Sequence, residues 1–305
     1  MTDTVTRKLD FVVFGVPRGG TTAVANYISA ARGFHCGVEV FPTYMDHATL
    51  HPPEAFLTKQ HAQWLDTSVQ AVRDGRDTIK VYGNKTPTYF YRLPSLLEEL
   101  DNCPAIACVR DLRDVASSYT KRAENPDDPW ASGRIGLFAM GDALLMLHAL
   151  HRTPAEANIL ILSQAALLKD WKSVMTGALS HIGPAQISPG TEPDFDPDQL
   201  KRINGIKRRA ARTEKPVLNE NEEAALKRLR RDGVVDFFAR KDVVPLNELR
   251  ADIARILDGT PPNPVAFIRR HAESHPNPEV KDFFERWSRQ AGRAWRLYRD
   301  MPPTA

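Results

Sequence analysis

The sequence predicts an α/β fold: a mostly parallel sheet flanked by helices, followed by a helical C-terminal extension. Three observations predict it. Short apolar runs of strand length alternate with helix-length segments between residues 11 and 183. The first apolar run, Phe11–Phe14, enters a glycine-rich turn that opens straight into a helix. The 305 residues are 42% apolar and 26% charged, which suits a water-soluble chain with a sizeable core.

The elements follow in order. Phe11–Phe14 reads as a buried strand and residues 23–31 as a helix halted by Gly33. Residues 78–82 and 105–109 read as further strands. A helix over 93–100 carries Pro94 in its first turn, where the missing N–H costs little. Residues 111–122 follow the third strand as a helix, and 136–151 form a strongly apolar one. Residues 158–162 are strand-like, and 167–182 read as one helix closed by Gly183. The stretch 184–197 is rich in proline and glycine and reads as a loop or lid. Residues 201–212 are dense in basic side chains, and 219–231 form a surface helix. Two helical segments follow residue 247, separated by a loop over 259–264. We expect residues 8–245 to form one nucleotide-binding domain and 246–305 to pack on it as the extension.

Composition excludes several classes. Net charge is only +3, so no nucleic-acid partner is expected from a global field. No apolar run approaches the roughly 20 residues of a membrane span, and residues 1–10 carry no apolar signal core. Three cysteines without ligand spacing read as reduced, buried thiols, and a cytoplasmic setting is expected. The sequence leaves a homo-oligomer open.

The chemistry starts at Gly15-Val16-Pro17-Arg18-Gly19-Gly20-Thr21-Thr22. A strand, a glycine turn and a helix start together make an anion cradle: glycine lets the backbone curl round a phosphate, and free helix N–H groups point at it. Nucleotide triphosphatases carry Lys after the second glycine of such a frame. Thr21 stands there instead, and a cation sits inside the loop at Arg18. A phosphate-like group is expected, held by Arg18, Gly19, Gly20, Thr21 and Thr22. A plain Thr-capped helix is the competing reading. A second anchor is Arg110, at the end of the strand 105–109, with Ser118 two turns into the next helix. Together they suit a second phosphate, Arg110 by a bidentate contact and Ser118 by one hydrogen bond.

With both stretches in view, the chain resembles the sulfotransferases that use PAPS (3′-phosphoadenosine 5′-phosphosulfate), which share a P-loop-like fold. The loop from Gly15 is similar to their 5′-phosphosulfate loop, and the run from Val109 to Tyr119 to their 3′-phosphate motif. Gly83-Asn84-Lys85-Thr86-Pro87-Thr88-Tyr89-Phe90 resembles a segment of the glycan sulfotransferases, and residues 159–170 their late strand and helix. The similarity spans roughly residues 8–183. Two positions depart: Gly19 stands where many relatives have Ser, and Asn84 where glycan enzymes have Glu, which removes a partner acid.

The resemblance implies PAPS as co-substrate, PAP as product and no metal. It also implies transfer to a hydroxyl of a small molecule, carbohydrate or glycolipid. Arg18 would bind the phosphosulfate and Lys85 would stabilise the transferring group. Glu39, in the apolar run Gly37-Val38-Glu39-Val40-Phe41, is the expected general base, because partial desolvation favours proton uptake. His35 is the runner-up. The rival readings are a P-loop kinase or NTPase and a non-catalytic nucleotide-binding protein of the same fold. The tail, residues 283–298, interleaves an aromatic stripe with an arginine stripe. It reads as a packed amphipathic helix, with a sugar or anion platform and membrane-surface attachment as alternatives.

Overall fold

The computed structural model describes residues 6–39, 44–46, 78–187, 191–201, 203, 217–261 and 263–301. Its strands, in chain order, are β1 (Thr6–Lys8), β2 (Phe11–Gly15), β3 (Phe34–Val38), β4 (Tyr44–Asp46), β5 (Val81–Lys85), β6 (Ala105–Val109), β7 (Ile159–Ser163) and β8 (Val243–Pro245). β1 and β4 pair antiparallel. The other six make one sheet in the order β3-β5-β2-β6-β7-β8, parallel throughout except for the antiparallel edge strand β8.

Alternation along the strands explains why both faces are buried. Val12 and Phe14 join one apolar cluster, while Phe11 and Val13 join another. Successive side chains of a strand point to opposite faces, so an all-apolar strand calls for cover on both sides. Helix α1 (Thr21–Ala30) covers one face through Val24, Ala25 and Ile28. Helices α2 (Leu93–Glu99) and α3 (Leu112–Ala123) follow β5 and β6, and α4 (Gly136–Arg152) lies buried on the other face from Gly136 to Leu150.

The sequence expectation of one helix over 167–182 is corrected: α5 (Gln164–Lys169) and α6 (Trp171–Ile182) are separate. The Asp170 side chain accepts from the Ser173 N–H and starts a new helix, a local hydrogen bond that competes with continuation. Helices α7 (Glu220–Arg231) and α8 (Val234–Phe238) precede β8. Among the described residues, three further helices rather than two follow β8: α9 (Arg250–Gly259), α10 (Pro264–Glu273) and α11 (Pro278–Asp300). The extra break is an Asn-Pro cap. Asn263 and Asn277 each accept from the first-turn amides, and each is followed by proline at the first helical position. The strand expected over 78–82 lies three residues later, over Val81–Lys85, because this register lets Val81 to Lys85 pair with Phe34 to Val38. Of the basic segment 201–212, residue 202 and everything from 204 lie outside the described residues.

One buried carboxylate ties the extension to the sheet. Asp142 of α4 is fully buried and accepts from Tyr91 Oη (2.7 Å), Tyr119 Oη (3.1 Å) and Trp287 Nε1 (2.9 Å). Tyr298 Oη donates to the Phe90 carbonyl beside it. On the other flank of α3, the buried Glu222 of α7 accepts from Thr120 Oγ1 and the Gly136 N–H.

Two stability predictions follow from this packing. A Cβ at Gly141 would sit 2.5 Å from the Trp287 ring, so Gly141→Ala should lower stability by about 1–3 kcal/mol, read as a shift in denaturant midpoint. His35 and His148 are both buried, and burial pushes each imidazole down to about 4. An unfolded histidine titrates near 6.5, so between about 6.5 and 4 the unfolded chain binds more protons than the folded one. Stability should be full above pH 6.5 and fall as pH drops through that window. Melting temperatures that stay level from pH 7 to 4.5 would contradict this.

Candidate active site

The parallel sheet sends its carboxyl ends to one edge, and the predicted residues gather there. Gly15 pairs with Cys108 across β2 and β6, so Arg110, two residues further on, lies beside the loop that leaves Gly15. Val13 pairs with Lys85, and Lys85 with Val38. Three strand ends thus deliver the glycine loop, Lys85 and Glu39 side by side, where ligands of open α/β sheets bind.

The loop itself is tight. Gly20 caps α1 with φ +95°, a left-handed value that glycine adopts without strain. A Cβ at Gly19 would stand 2.7 Å from the Val16 carbonyl oxygen, so a side chain here collides with the loop's own backbone. No side chain caps α1 and no acid occupies its first turn, so its leading N–H groups and positive dipole end face the loop uncompensated. Thr21 is buried and Thr22 exposed.

Arg18 has φ +68°, an uncommon value for a residue with a side chain. Its Nε donates to Ser118 Oγ at 3.1 Å, and its carbonyl accepts from Arg110 at 3.2 Å. The sequence reading assigns Arg18 to the phosphosulfate; in the structure its guanidinium lies against Ser118 of α3. Arg18 is exposed at the surface, yet protein crowding around the guanidinium strips water from it. This lowers its pKa, and the charges of Arg122 and Arg110 lower it further, with Asp128 opposing them. Arg110 also reaches Asp114 at 3.5 Å, while its buried Nε has no hydrogen-bond partner among the described residues. Three guanidiniums converging with an unpartnered N–H form a cradle that an anion completes.

Lys85 is buried, and its Nζ bonds Glu39 Oε1 at 2.6 Å. This carboxylate comes from the residue just past the neighbouring strand β3, a partnership no local spacing shows. Glu39 sits one residue beyond β3, not inside a strand, with φ +60°, and its N–H donates to the Lys85 carbonyl at 2.7 Å. It retains about a third of its side-chain exposure, 31%, against 2% for Lys85. Asn84 instead bonds Tyr89 Oη (2.7 Å) and Thr86 Oγ1 (3.2 Å), locking the turn after Lys85. Burial pushes the Cys108 thiol up to about 12, against the opposing pull of the nearby Lys85 charge. His35 faces Tyr82 across the sheet, three residues before Lys85, and stacks on its ring at 5.3 Å; it is a buried neutral imidazole away from the strand ends.

Several residues at the site escape sequence reasoning. Arg122 lies one turn beyond Ser118 and pairs with Asp128 through two contacts of 2.7 and 2.6 Å. Trp130 sits between the guanidiniums of Arg122 (4.8 Å) and Arg134 (4.0 Å). Gln164, at the start of α5, lies against Gly20. The i,i+4 spacing of Ser118 and Arg122 is a legible signal; the loop contact of Gln164 has none. Among the described residues, no three His, Cys, Asp or Glu side chains are placed to share a metal ion, and no helix is long and apolar enough to cross a membrane.

No curated protein matches the chain. Structural likeness is found to mouse sulfotransferase SULT7A1 complexed with PAP (12% identity, 96% of this chain and 88% of that one, TM-score 0.38). It is also found to a sulfotransferase from Alicyclobacillus acidocaldarius (14% identity, 67% and 92%, TM-score 0.38). A third is the sulfotransferase domain of the Synechococcus PCC 7002 olefin synthase (16% identity, 75% and 94%, TM-score 0.39). Residues 10–186 match the sulfotransferase family, a span that holds the glycine loop, Glu39, Lys85, Arg110 and Ser118. Since this match covers more than half of its length, the chain belongs to the sulfotransferase family.

Proposed function

We propose that the protein moves a sulfuryl group from PAPS to a hydroxyl of a carbohydrate or glycolipid acceptor. One observation carries the donor half: Arg18, Arg110 and Ser118 meet beside a glycine loop whose helix N–H groups are uncapped. In this reading the amides of Gly20, Thr21 and Thr22 hold the 5′-phosphate, the Gly19 N–H being taken by the Val16 carbonyl, and Arg110, Ser118 and Arg18 hold the 3′-phosphate. PAPS supplies a sulfuryl group already activated by its bond to phosphate.

The chain's own work is positioning and charge stabilisation. Lys85 presents a buried ammonium from a strand end, where its field is little screened. Glu39 has one oxygen on Lys85 and keeps Oε2 for the acceptor's proton. The pair couples the two tasks. A Glu39 that has taken up a proton no longer neutralises Lys85, so the ammonium field strengthens as negative charge builds on the leaving oxygen. The acceptor class is supported by the likeness of residues 83–90 to the glycan enzymes and by this Lys–Glu pair.

Calorimetric titration with PAP tests the donor half. Wild type should bind, and Arg110→Ala should weaken binding tenfold or more, about 1.4 kcal/mol for a charge-assisted phosphate contact. An intact protein without PAP affinity would overturn the reading. For the base, Glu39→Gln should keep PAP affinity within about twofold while transfer to the acceptor falls by roughly 100-fold or more. Full turnover in that variant would remove Glu39 from the mechanism.

A further inference from the structure

Helices α10 and α11 border an open groove of about 780 Å3, and none of the donor-site residues lines it. It lies beyond the segment that matches the family. Arg286, Arg289, Arg293 and Arg296 enter it from α11, and Arg269 faces them from α10. The steps of three, four and three residues put the four α11 arginines on one side of the helix, spread over about 15 Å. Among the described residues, none of these four has a carboxylate within ion-pair distance. Arg299, at the end of the row, bonds Asp300 at 2.7 Å, and Arg269 stands 3.8 Å from Glu273. Asp300 is the acid whose charge also reaches Arg296. Arg286 rests over the Phe283 ring at 5.4 Å.

Like charges one turn apart destabilise a helix. Asp282 and Glu285 stand one turn before Arg286 and Arg289 and Asp300 one turn after Arg296, but no acid lies one turn from Arg293, and the row of four cations is only partly balanced within the helix. We propose that this groove binds a compact ligand bearing at least two phosphate or sulfate groups. Arginine suits such groups because its planar fork bonds two oxygens at once. The cations face each other from two helices, which chelates a compact ligand better than it follows a long polymer. The volume falls within the range of small-ligand sites, roughly 300–1,000 Å3. Trp295 is the single aromatic lining residue, its ring held edge-on to His148 at 4.6 Å. One ring does not make the row of stacking platforms that single-stranded nucleic acid uses, and the arginine face lacks the apolar side a bilayer would take up.

This site is independent of the donor reading. The test uses the full chain carrying Arg110→Ala, which weakens the donor site. Inorganic tripolyphosphate is titrated calorimetrically at about 0.15 M salt, and sucrose octasulfate is titrated in a parallel arm to separate phosphate from sulfate. Saturable binding of at least one probe is expected, tenfold or more tighter than orthophosphate or sulfate alone. Adding Arg289→Ala and Arg293→Ala should weaken it tenfold or more, while the same two changes in the wild-type background leave PAP affinity unaltered. Both positions are exposed on a helix that tolerates alanine. The proposal is overturned if neither probe saturates, or if the double substitution leaves binding unchanged. It is overturned equally if only an oligonucleotide, a long sulfated polysaccharide or an anionic vesicle binds. Failure of PAP binding in wild type would sink the donor reading and leave this groove standing.

Discussion

Burial of the parallel sheet on both faces is the constraint on which everything else depends. With β2 and β6 apolar above and below, the polar groups that these two strands lead to stand where the strands stop. Parallel pairing then puts those stopping points on one edge. Arg110, Lys85, Glu39 and the glycine loop are far apart in sequence, yet each is the first polar position past a strand or its last residue. The site is thus a by-product of how the core is closed, and its composition follows from which side chains the sequence places at those ends.

That edge is left electrostatically unfinished. Arg18 and Glu39 both hold positive φ values, a conformation that costs on the order of 1 kcal/mol or more for a residue with a side chain. Two such residues at one edge of the sheet mark a place where the surrounding structure enforces geometry against local preference. The converging guanidiniums of Arg18, Arg110 and Arg122 repel one another, and Asp114 and Asp128 offset them only in part. Lys85 and Glu39 form the opposite arrangement, a close pair in which one partner is buried and the other reaches solvent. In the proposed reading, an anion cradle beside a coupled acid–base pair serves group transfer to a hydroxyl.

The C-terminal helices are wired into this arrangement. Asp142 joins Tyr91, which follows the Lys85 turn, to Tyr119, which follows Ser118, and to Trp287 of α11. A fully buried carboxylate needs such a set of donors to offset its lost hydration, and burial still raises its pKa. Through it, the spacing of the two halves of the candidate site depends on a helix that contributes no side chain to it.

Much of this was legible before any coordinates. The glycine loop, Arg110 and Ser118 are contiguous motifs whose chemistry shows in residue order, and apolar runs of strand length gave the fold class. Less legible were the elements set by side-chain competition: the helix break at Asp170, the Asn277-Pro278 cap and the three-residue shift of β5. By itself the sequence determined which residues bear charge, where the backbone is free to turn, and that the strands must be covered on both faces. Only the tertiary structure decided that Glu39 is the partner of Lys85, that Arg18 turns toward Ser118, and that Arg122 joins them. The first two pairings span 46 and 100 residues. They depend on strand order and register, and no local periodicity encodes either.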